Sequence, residues 1–329
     1  MSVPGLELAD VALEASVRSG LDAVEQMLRE TVRSDYPFVT ETSRHLVDAG
    51  GKRFRPLVVL LAARFADPAA PGVVPAAVAI ELTHLSTLYH DDVMDEAVLR
   101  RGAVSANARW TNTVAILTGD FLFARASEIT ADLGTEATRI LARTIAVLCE
   151  GQIRETVGPA PGEDPIEHYL RVVADKTGSL IATSGRLGAM LAGADPGTVD
   201  VLTSFGERIG VAFQLSDDLL DVAGTSARFG KTPGTDLREG IRTLPVLYAL
   251  QSGDPVSARL RVLLESGLTD DGTLAEALGL LRAHPAMERS RAALRTWADS
   301  ARAALSALPD GPPKSALENL ADFVVARTV

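Results

Sequence analysis

The sequence predicts an all-α fold, and three observations carry that expectation. No run alternates β-branched or aromatic side chains with polar ones, as a half-buried strand would. Apolar residues recur instead at helical spacing through nearly the whole chain. The breaks are short and built from proline and glycine: Pro159-Ala160-Pro161-Gly162, Gly193-Ala194-Asp195-Pro196 and Asp310-Gly311-Pro312-Pro313. None of them is a long linker, so residues 1–329 read as a single all-helical domain with its pocket between helices.

Periodicity begins near Leu8 and runs to about Val32. A second helix, Phe38 to Ala49, meets Gly50-Gly51, a pair suited to a helix C-cap. Pro56 falls in the first turn of the next helix, where its missing N–H costs nothing. Pro75 opens a long helix expected to reach Leu99. Further helices are expected over roughly 113–133, 135–157, 166–194, 198–223, 241–251, 256–267, 273–283, 286–308 and 313–328. Residues 224–240 form the one extended loop, with glycines at 224, 230, 234 and 240; such loops inside a compact domain are often functional.

Composition narrows the function. The chain has 329 residues, 47% of them hydrophobic, enough for a sizeable core. Its net charge of −11 argues against nucleic acid and against docking on anionic lipid. The lone Cys149 cannot form an internal disulfide, fits a reducing cytosol and is expected as a small buried hydrophobe. No transmembrane segment is visible; the apolar run from Pro56 to Ala63 stops at Arg64. Glu7, Asp10 and Glu14 interrupt any signal peptide, so the protein is read as soluble and cytoplasmic.

One short acidic motif occurs twice, as Asp91-Asp92-Val93-Met94-Asp95 and as Asp217-Asp218-Leu219-Leu220-Asp221. In each, the first and last carboxylates stand at i and i+4 and share a helix face, where like charges repel. Solvated acidic faces would be the plainer reading. The flanks argue otherwise: AVAIELTHLSTLYH and RIGVAFQLS are mostly apolar, and carboxylates beside a buried surface are costly unless paired or metal-bound. Oxygen ligands without Cys or His favour a hard cation, Mg²⁺ above all.

Matching cations are present. GGKRFRP carries Lys52, Arg53 and Arg55 at a helix junction, Arg100-Arg101-Gly102 follows the first acidic motif, and Lys176 and Lys231 sit in DKTGS and FGKTPGTDL. Any one of them reads as an exposed surface base; together they flank glycine junctions or the acidic motifs, and phosphate is what such bases suit. GGKRFRP lacks the spacing of a nucleotide P-loop, which argues against a kinase.

Seven segments together carry a resemblance: GGKRFRP, HDDVMDEAVLRRG, TGDFLF, the Gly151-Gln152 pair, DKTGSL, FQLSDDLLD and FGKTPGTDLREG. From about residue 45 to 248 the chain resembles the trans-polyprenyl diphosphate synthases. The resemblance implies a helical bundle around a deep central cavity, a homodimer, and three Mg²⁺ per active site with diphosphate bound. It implies condensation of an allylic diphosphate with successive isopentenyl diphosphates in trans geometry, each step releasing the allylic partner's diphosphate. By motif, Asp91, Asp95 and Asp217 would hold Mg²⁺, with Asp92, Asp218 and Asp221 as indirect or water-mediated partners. Arg100, Lys176 and Lys231 would clamp the allylic diphosphate. Lys52, Arg55, His84 and Arg101 would bind isopentenyl diphosphate. Thr177 and Gln214 would present oxygens towards the allylic cation. One departure is visible: relatives carry Lys where Arg242 precedes Thr243-Leu244-Pro245, so no role is given to it.

The chemistry fits that layout, since metal and bases would stabilise a leaving diphosphate while a dry pocket protects the cation. His90, beside Asp91, reads equally as a base or as a structural hydrogen bond. A class I terpene cyclase would carry an Asn/Ser/Glu-type second motif. A non-catalytic partner subunit would lose one acidic motif, and a helical scaffold gives no account of either.

The growing chain is expected to run back along the first motif's helix, past Thr87, Ser86, Thr83, Ile80 and Ala79. Short-chain relatives commonly place a bulky aromatic four or five residues before the motif; Thr87 and Ser86 are small. A helix turn rises ~5.4 Å and an isoprene unit spans roughly 5 Å. The expected product is therefore about thirty carbons or longer, suited to a quinone side chain and able to pass to a membrane. The alternative is a geranylgeranyl or farnesyl synthase with Phe121 or Phe123 as the plug.

Overall fold

The computed structural model describes residues 10–224, 233–268 and 270–328. Its helices are α1 (Val11–Thr31), α2 (Pro37–Asp48), α3 (Phe54–Ala62), α4 (Val73–Met94), α5 (Ala106–Arg109), α6 (Asn112–Leu133), α7 (Thr135–Val157) and α8 (Pro165–Val173). After a π turn at Ala174–Gly178 come α9 (Ser179–Leu191), α10 (Pro196–Ala223), α11 (Thr235–Arg238), α12 (Leu244–Ser252), α13 (Pro255–Ser266), α14 (Asp271–Ala283), α15 (Ala286–Ala304) and α16 (Pro312–Ala326). The fold is all-α as expected. The only strands among the described residues are β1 (Leu99–Arg100) and β2 (Ala103–Val104), an antiparallel pair.

The chain divides into two compact units. One comprises the described residues of Met1–Ala146 with Ser179–Glu207 and Ala304–Leu320; the other comprises the described residues of Val147–Gly178, Arg208–Ala303 and Ala321–Val329. The first is built around α4. Its residues Ala76 to Ile80 and Leu82 are fully buried, so this helix is apolar on every side. It packs against α1, α3, α6 and α9. α6 turns a face of small residues inward, Ala115, Thr118, Gly119 and Ala126 around Leu122. α9 approaches α3 equally closely, because a Cβ at Gly188 would press into the Val59 carbonyl. In the second unit α8 packs on α12, and α12, α13 and α14 pack on one another. Among the described residues no helix is long and apolar enough to cross a membrane.

Three local expectations are corrected. The helix from Pro75 was expected to reach Leu99, but α4 stops at Met94 and Glu96 takes a positive φ of 50°. The chain then reverses through Arg101 (φ 54°) and Gly102 (φ 78°), and two consecutive positive φ values make a type I′ hairpin. The stretch expected as one helix over 166–194 is helical without a break from 165 to 191, but it is not α throughout, because the π turn widens it at Ala174–Gly178. Cys149 is exposed rather than buried. The inward positions of α7 include Ala137, Ile140, Leu141, Thr144 and Leu148, and Cys149 stands one residue off that stripe, about 100° around the helix.

Gly188→Ala should destabilise the protein by about 1–3 kcal/mol through overpacking against α3, lowering Tm by several degrees. Thermal unfolding checks this, and an unchanged Tm would mean that α9 has room to shift.

Candidate active site

Within the first unit, Tyr89 pins α4 to α2 just before the acidic motif. Its buried hydroxyl donates to the Thr42 carbonyl at 2.5 Å and accepts the Leu46 N–H at 3.2 Å. The motif that follows splits by direction. Asp92 is 0% exposed, Asp91 is half-buried, and the Asp95 side chain is 35% exposed. The hairpin returns Arg100 to this cluster, where its Nε donates to Asp92 Oδ1 at 2.5 Å and its Nη2 lies 3.6 Å from Asp95. Burial alone would lower the Arg100 pKa; Asp92, with Asp91 and Asp95, holds it above the ordinary value. The other Asp92 oxygen, Oδ2, is buried with no hydrogen-bond partner.

The GGKRFRP loop sorts its three bases. Lys52 is exposed and Arg55 half-buried at the start of α3. Arg53 turns inward from a left-handed backbone (φ 48°) to Glu25, to Glu81 at 2.8 Å and to the Val47 carbonyl at 3.0 Å. Arg101 folds over the same loop and donates to the Gly50 and Leu46 carbonyls. The guanidinium of Arg101 therefore fixes the loop's backbone. His84 is half-buried one helix turn from Glu81. Desolvation, then Arg55, Arg101, Arg53 and Arg100, push its pKa well below the ordinary value and keep it neutral. His90 points instead at α6, within 3.2 Å of the Asp120 carboxylate and the Ile116 carbonyl.

On the same helix, Thr83 and Ser86 are buried and Thr87 half-buried. The Thr83 hydroxyl donates to the Ala79 carbonyl and that of Thr87 to the His84 carbonyl, both at 2.8 Å. Both hydroxyls are thus spent on the helix's own backbone. Phe123 is exposed, and Phe121 lies under Arg125, 5.1 Å from its guanidinium.

The second unit holds the second motif. Asp217 pairs with Arg327, the residue just after α16, which also lies 5.0 Å from the Phe213 ring. Asp218 is buried and accepts from Tyr169 and from Gln214 Nε2, the latter at 2.8 Å. Burial raises its carboxyl to about 7, although Tyr169 and Gln214 pull it down. Asp221 accepts the backbone N–H of Thr235 and of Asp236, each at 3.2 Å, and so ties the end of the glycine-rich segment to α10. Thr177 donates to Gln214 Oε1 at 2.9 Å. Lys176 pairs with Glu155 of α7. The π turn can approach α7 because residue 151 is glycine; a Cβ there would stand 2.7 Å from the Asp175 Cβ and 3.1 Å from the Lys176 nitrogen. Lys231 lies outside the described residues.

Sequence reasoning missed Glu25, Glu81, Glu155, Tyr169 and Arg327. Tyr169 stands two helical turns before Lys176 and Glu155 one turn after Gly151, spacings that could have marked them. Nothing near Arg327 signals its contact.

An all-helical protein with two such acidic motifs and loops of clustered bases belongs to the class of prenyltransferases that act on diphosphates. The family model described as Polyprenyl synthetase matches residues 36–281, and the chain belongs to that family. It is 50% identical over 99% of its length to the nonaprenyl diphosphate synthase of Mycobacterium tuberculosis, covering 97% of that protein. The structure is similar to the geranylgeranyl pyrophosphate synthase of Corynebacterium glutamicum complexed with calcium and isoprenyl diphosphate (47% identity, TM-score 0.87, 98% of this chain and 99% of that one). It is also similar to a decaprenyl diphosphate synthase from Rhodobacter capsulatus (38% identity, TM-score 0.88, 97% and 99%).

The depressed pKa of His84 has a stability consequence. Unfolded, its imidazole takes up a proton as pH falls below about 6.5, whereas the folded imidazole does not. Stability is therefore lost as pH drops through that value. Thermal unfolding at pH 7.5 and 5.5 should show a smaller acid loss in His84→Gln than in wild type. Equal losses would show that the guanidiniums do not control this histidine.

Proposed function

We propose that the chain joins an allylic diphosphate to successive isopentenyl diphosphates with trans geometry and releases a product of about thirty carbons or longer. The observation that carries this reading is the build of the two motifs. In each, the second aspartate is fully buried and bonded while the first keeps partial exposure. A solvated acidic face would not bury its middle carboxylate.

The donor set fits Mg²⁺. It is all oxygen, and Asp92 keeps a buried oxygen without a hydrogen-bond partner. Among the described residues no group of three or more His, Cys, Asp or Glu forms a metal cage. That accords with an ion held by one or two carboxylates and completed by substrate phosphate and water. In this reading Asp91, Asp95 and Asp217 hold three Mg²⁺, and the metal supplies charge neutralisation of the departing diphosphate. Arg100, Lys176 and Lys231 bind the allylic diphosphate; Lys52, Arg55, His84 and Arg101 bind isopentenyl diphosphate. Neutral His84 adds a polar contact there without a further positive charge. Thr177 and Gln214 turn oxygens towards the cation, and the released diphosphate takes the final proton.

We infer further that the protein works in the cytoplasm as a single all-helical domain and a homodimer, its product serving a quinone side chain. The division between the two compact units falls inside α7, α10 and α16, which supports one domain. Exposed Ile116, Leu117 and Phe123 on α6 support the dimer. Small Ser86 and Thr87, the backbone-bonded hydroxyls of Thr83 and Thr87, and Phe121 and Phe123 lying off the buried face of α6 all support the long product.

Purified chain alone, given both diphosphates and Mg²⁺, should make polyprenyl diphosphate; no product without an added subunit would return it to the partner-subunit class. Asp91→Ala, Asp95→Ala and Asp217→Ala should each remove most turnover while the protein still folds. Near-normal turnover at saturating Mg²⁺ would remove that residue from the metal set. Ser86→Phe should shorten the product to about fifteen or twenty carbons, by roughly one isoprene per helix turn. An unchanged product ladder in folded Ser86→Phe would mean that the chain does not grow along α4.

A further inference from the structure

Four polar side chains in the second unit form a continuous line of hydrogen bonds. Tyr169 of α8 donates its hydroxyl to Asp218 Oδ2. Gln214 Nε2 donates to Asp218 Oδ1 at 2.8 Å. Thr177 Oγ1, in the π turn, donates to Gln214 Oε1 at 2.9 Å. An amide's two ends look alike by shape alone, and its orientation has to be inferred from its partners. Here the carboxylate decides it. In its ionised form Asp218 only accepts, and in that form the Gln214 NH₂ faces Asp218 and the Gln214 oxygen faces Thr177. The Thr177 hydroxyl hydrogen is then committed to Gln214, and its lone pairs point elsewhere. One buried carboxylate thereby orients three neighbours in succession.

We infer that Tyr169 is a positioning residue for prenyl transfer, acting through Asp218 and Gln214 to hold the Thr177 hydroxyl with its lone pairs outward. The inference rests on the prenyltransferase reading above, in which Thr177 faces the allylic cation. Asp218 is 3% exposed and both its oxygens are taken by these two side chains. Its work is therefore orientation. Without the Tyr169 hydroxyl, Oδ2 is buried and unsatisfied, and the carboxylate can rotate away from Gln214. The amide is then free to flip. If its NH₂ faces Thr177, the hydroxyl must accept instead of donate, and its hydrogen swings out towards the place where positive charge develops. Groups pre-set for the transition state raise kcat, whereas groups that bind substrate and transition state alike move KM.

Tyr169→Phe should lower single-turnover kcat about tenfold or more, which is about 1.4 kcal/mol of barrier. KM for each diphosphate should stay within roughly twofold, the pattern of an interaction made only in the transition state. Thr177→Val removes the lone pairs themselves. If Tyr169 acts through Thr177, adding Tyr169→Phe to Thr177→Val should cost little more, a non-additivity that simple loosening of the fold would not give. Gln214→Met interrupts the line at its middle, keeps the bulk, and should show the same kcat loss and the same non-additivity if Tyr169→Phe does not fold. Fully additive losses, a change confined to KM, or unchanged kcat would overturn the proposal while wild-type prenyl transfer stands. Absence of prenyl transfer by the wild type would overturn the prenyltransferase reading and this proposal with it.

Discussion

Three carboxylates within five residues of helix repel one another, and burying one of them adds its desolvation to the cost. The surroundings of both acidic motifs answer that constraint, and they answer it differently. At the first motif a formal cation does the work: the type I′ turn at Arg101-Gly102 brings Arg100 back onto buried Asp92. At the second, buried Asp218 is held by two neutral donors, a phenol and an amide. Burial raises the Asp218 carboxyl to about 7, with Asp217 and Asp221 adding to the rise, and the two donors offset only part of it. What the second motif gains is direction. A guanidinium offers several equivalent donors, whereas a phenol and an amide offer defined ones.

The helices were legible because their apolar periodicity and their glycine and proline breaks agree with one another. α4 was legible for the opposite reason, its long apolar run before DDVMD announcing burial on every side. The misses share a cause. The β1–β2 hairpin has strands of two residues, too short for any alternation to register. The π turn adds one residue to a helical repeat, which periodicity averages away. The acidic faces and their bases were visible as charge clusters. Glu81, Glu25 and Arg327 were not, since a single polar residue carries no local sign of a partner far along the chain, and Tyr169 was marked only by its spacing from Lys176. Cys149 shows how fine the margin is, with one residue's rotation separating core from solvent.

The basic loop shows how residues of one type are divided by direction. Lys52, Arg53 and Arg55 lie within four residues, yet Arg53 belongs to the interior. Its guanidinium joins Glu25, Glu81 and two backbone carbonyls, contacts that reward a planar fork over an ammonium. Removing one member of such a buried ionic set leaves the others uncompensated, at about 3–5 kcal/mol. The left-handed backbone at Arg53 is held by these contacts and turns its neighbour Lys52 outward. One base of the three is thus built into the interior while Lys52 stays exposed and Arg55 half-buried.

Net charge and local field point in opposite directions, and function depends on the local one. The molecule carries −11 overall, which would repel a diphosphate at long range. Salt screens that repulsion beyond about a Debye length, roughly 8–10 Å. Inside that distance the arrangement around His84 takes over: the charges that act on its imidazole are the guanidiniums of Arg55, Arg101, Arg53 and Arg100, and together with burial they keep it neutral. Burial is the larger cause, and the four guanidiniums add a positive local potential to it. An anion arriving there meets fixed cations already held in place by backbone carbonyls and buried carboxylates, so little reorganisation is needed when it binds. The acidic exterior and the basic interior are therefore compatible. Overall charge acts at long range and is screened, whereas the guanidiniums around His84 act at short range.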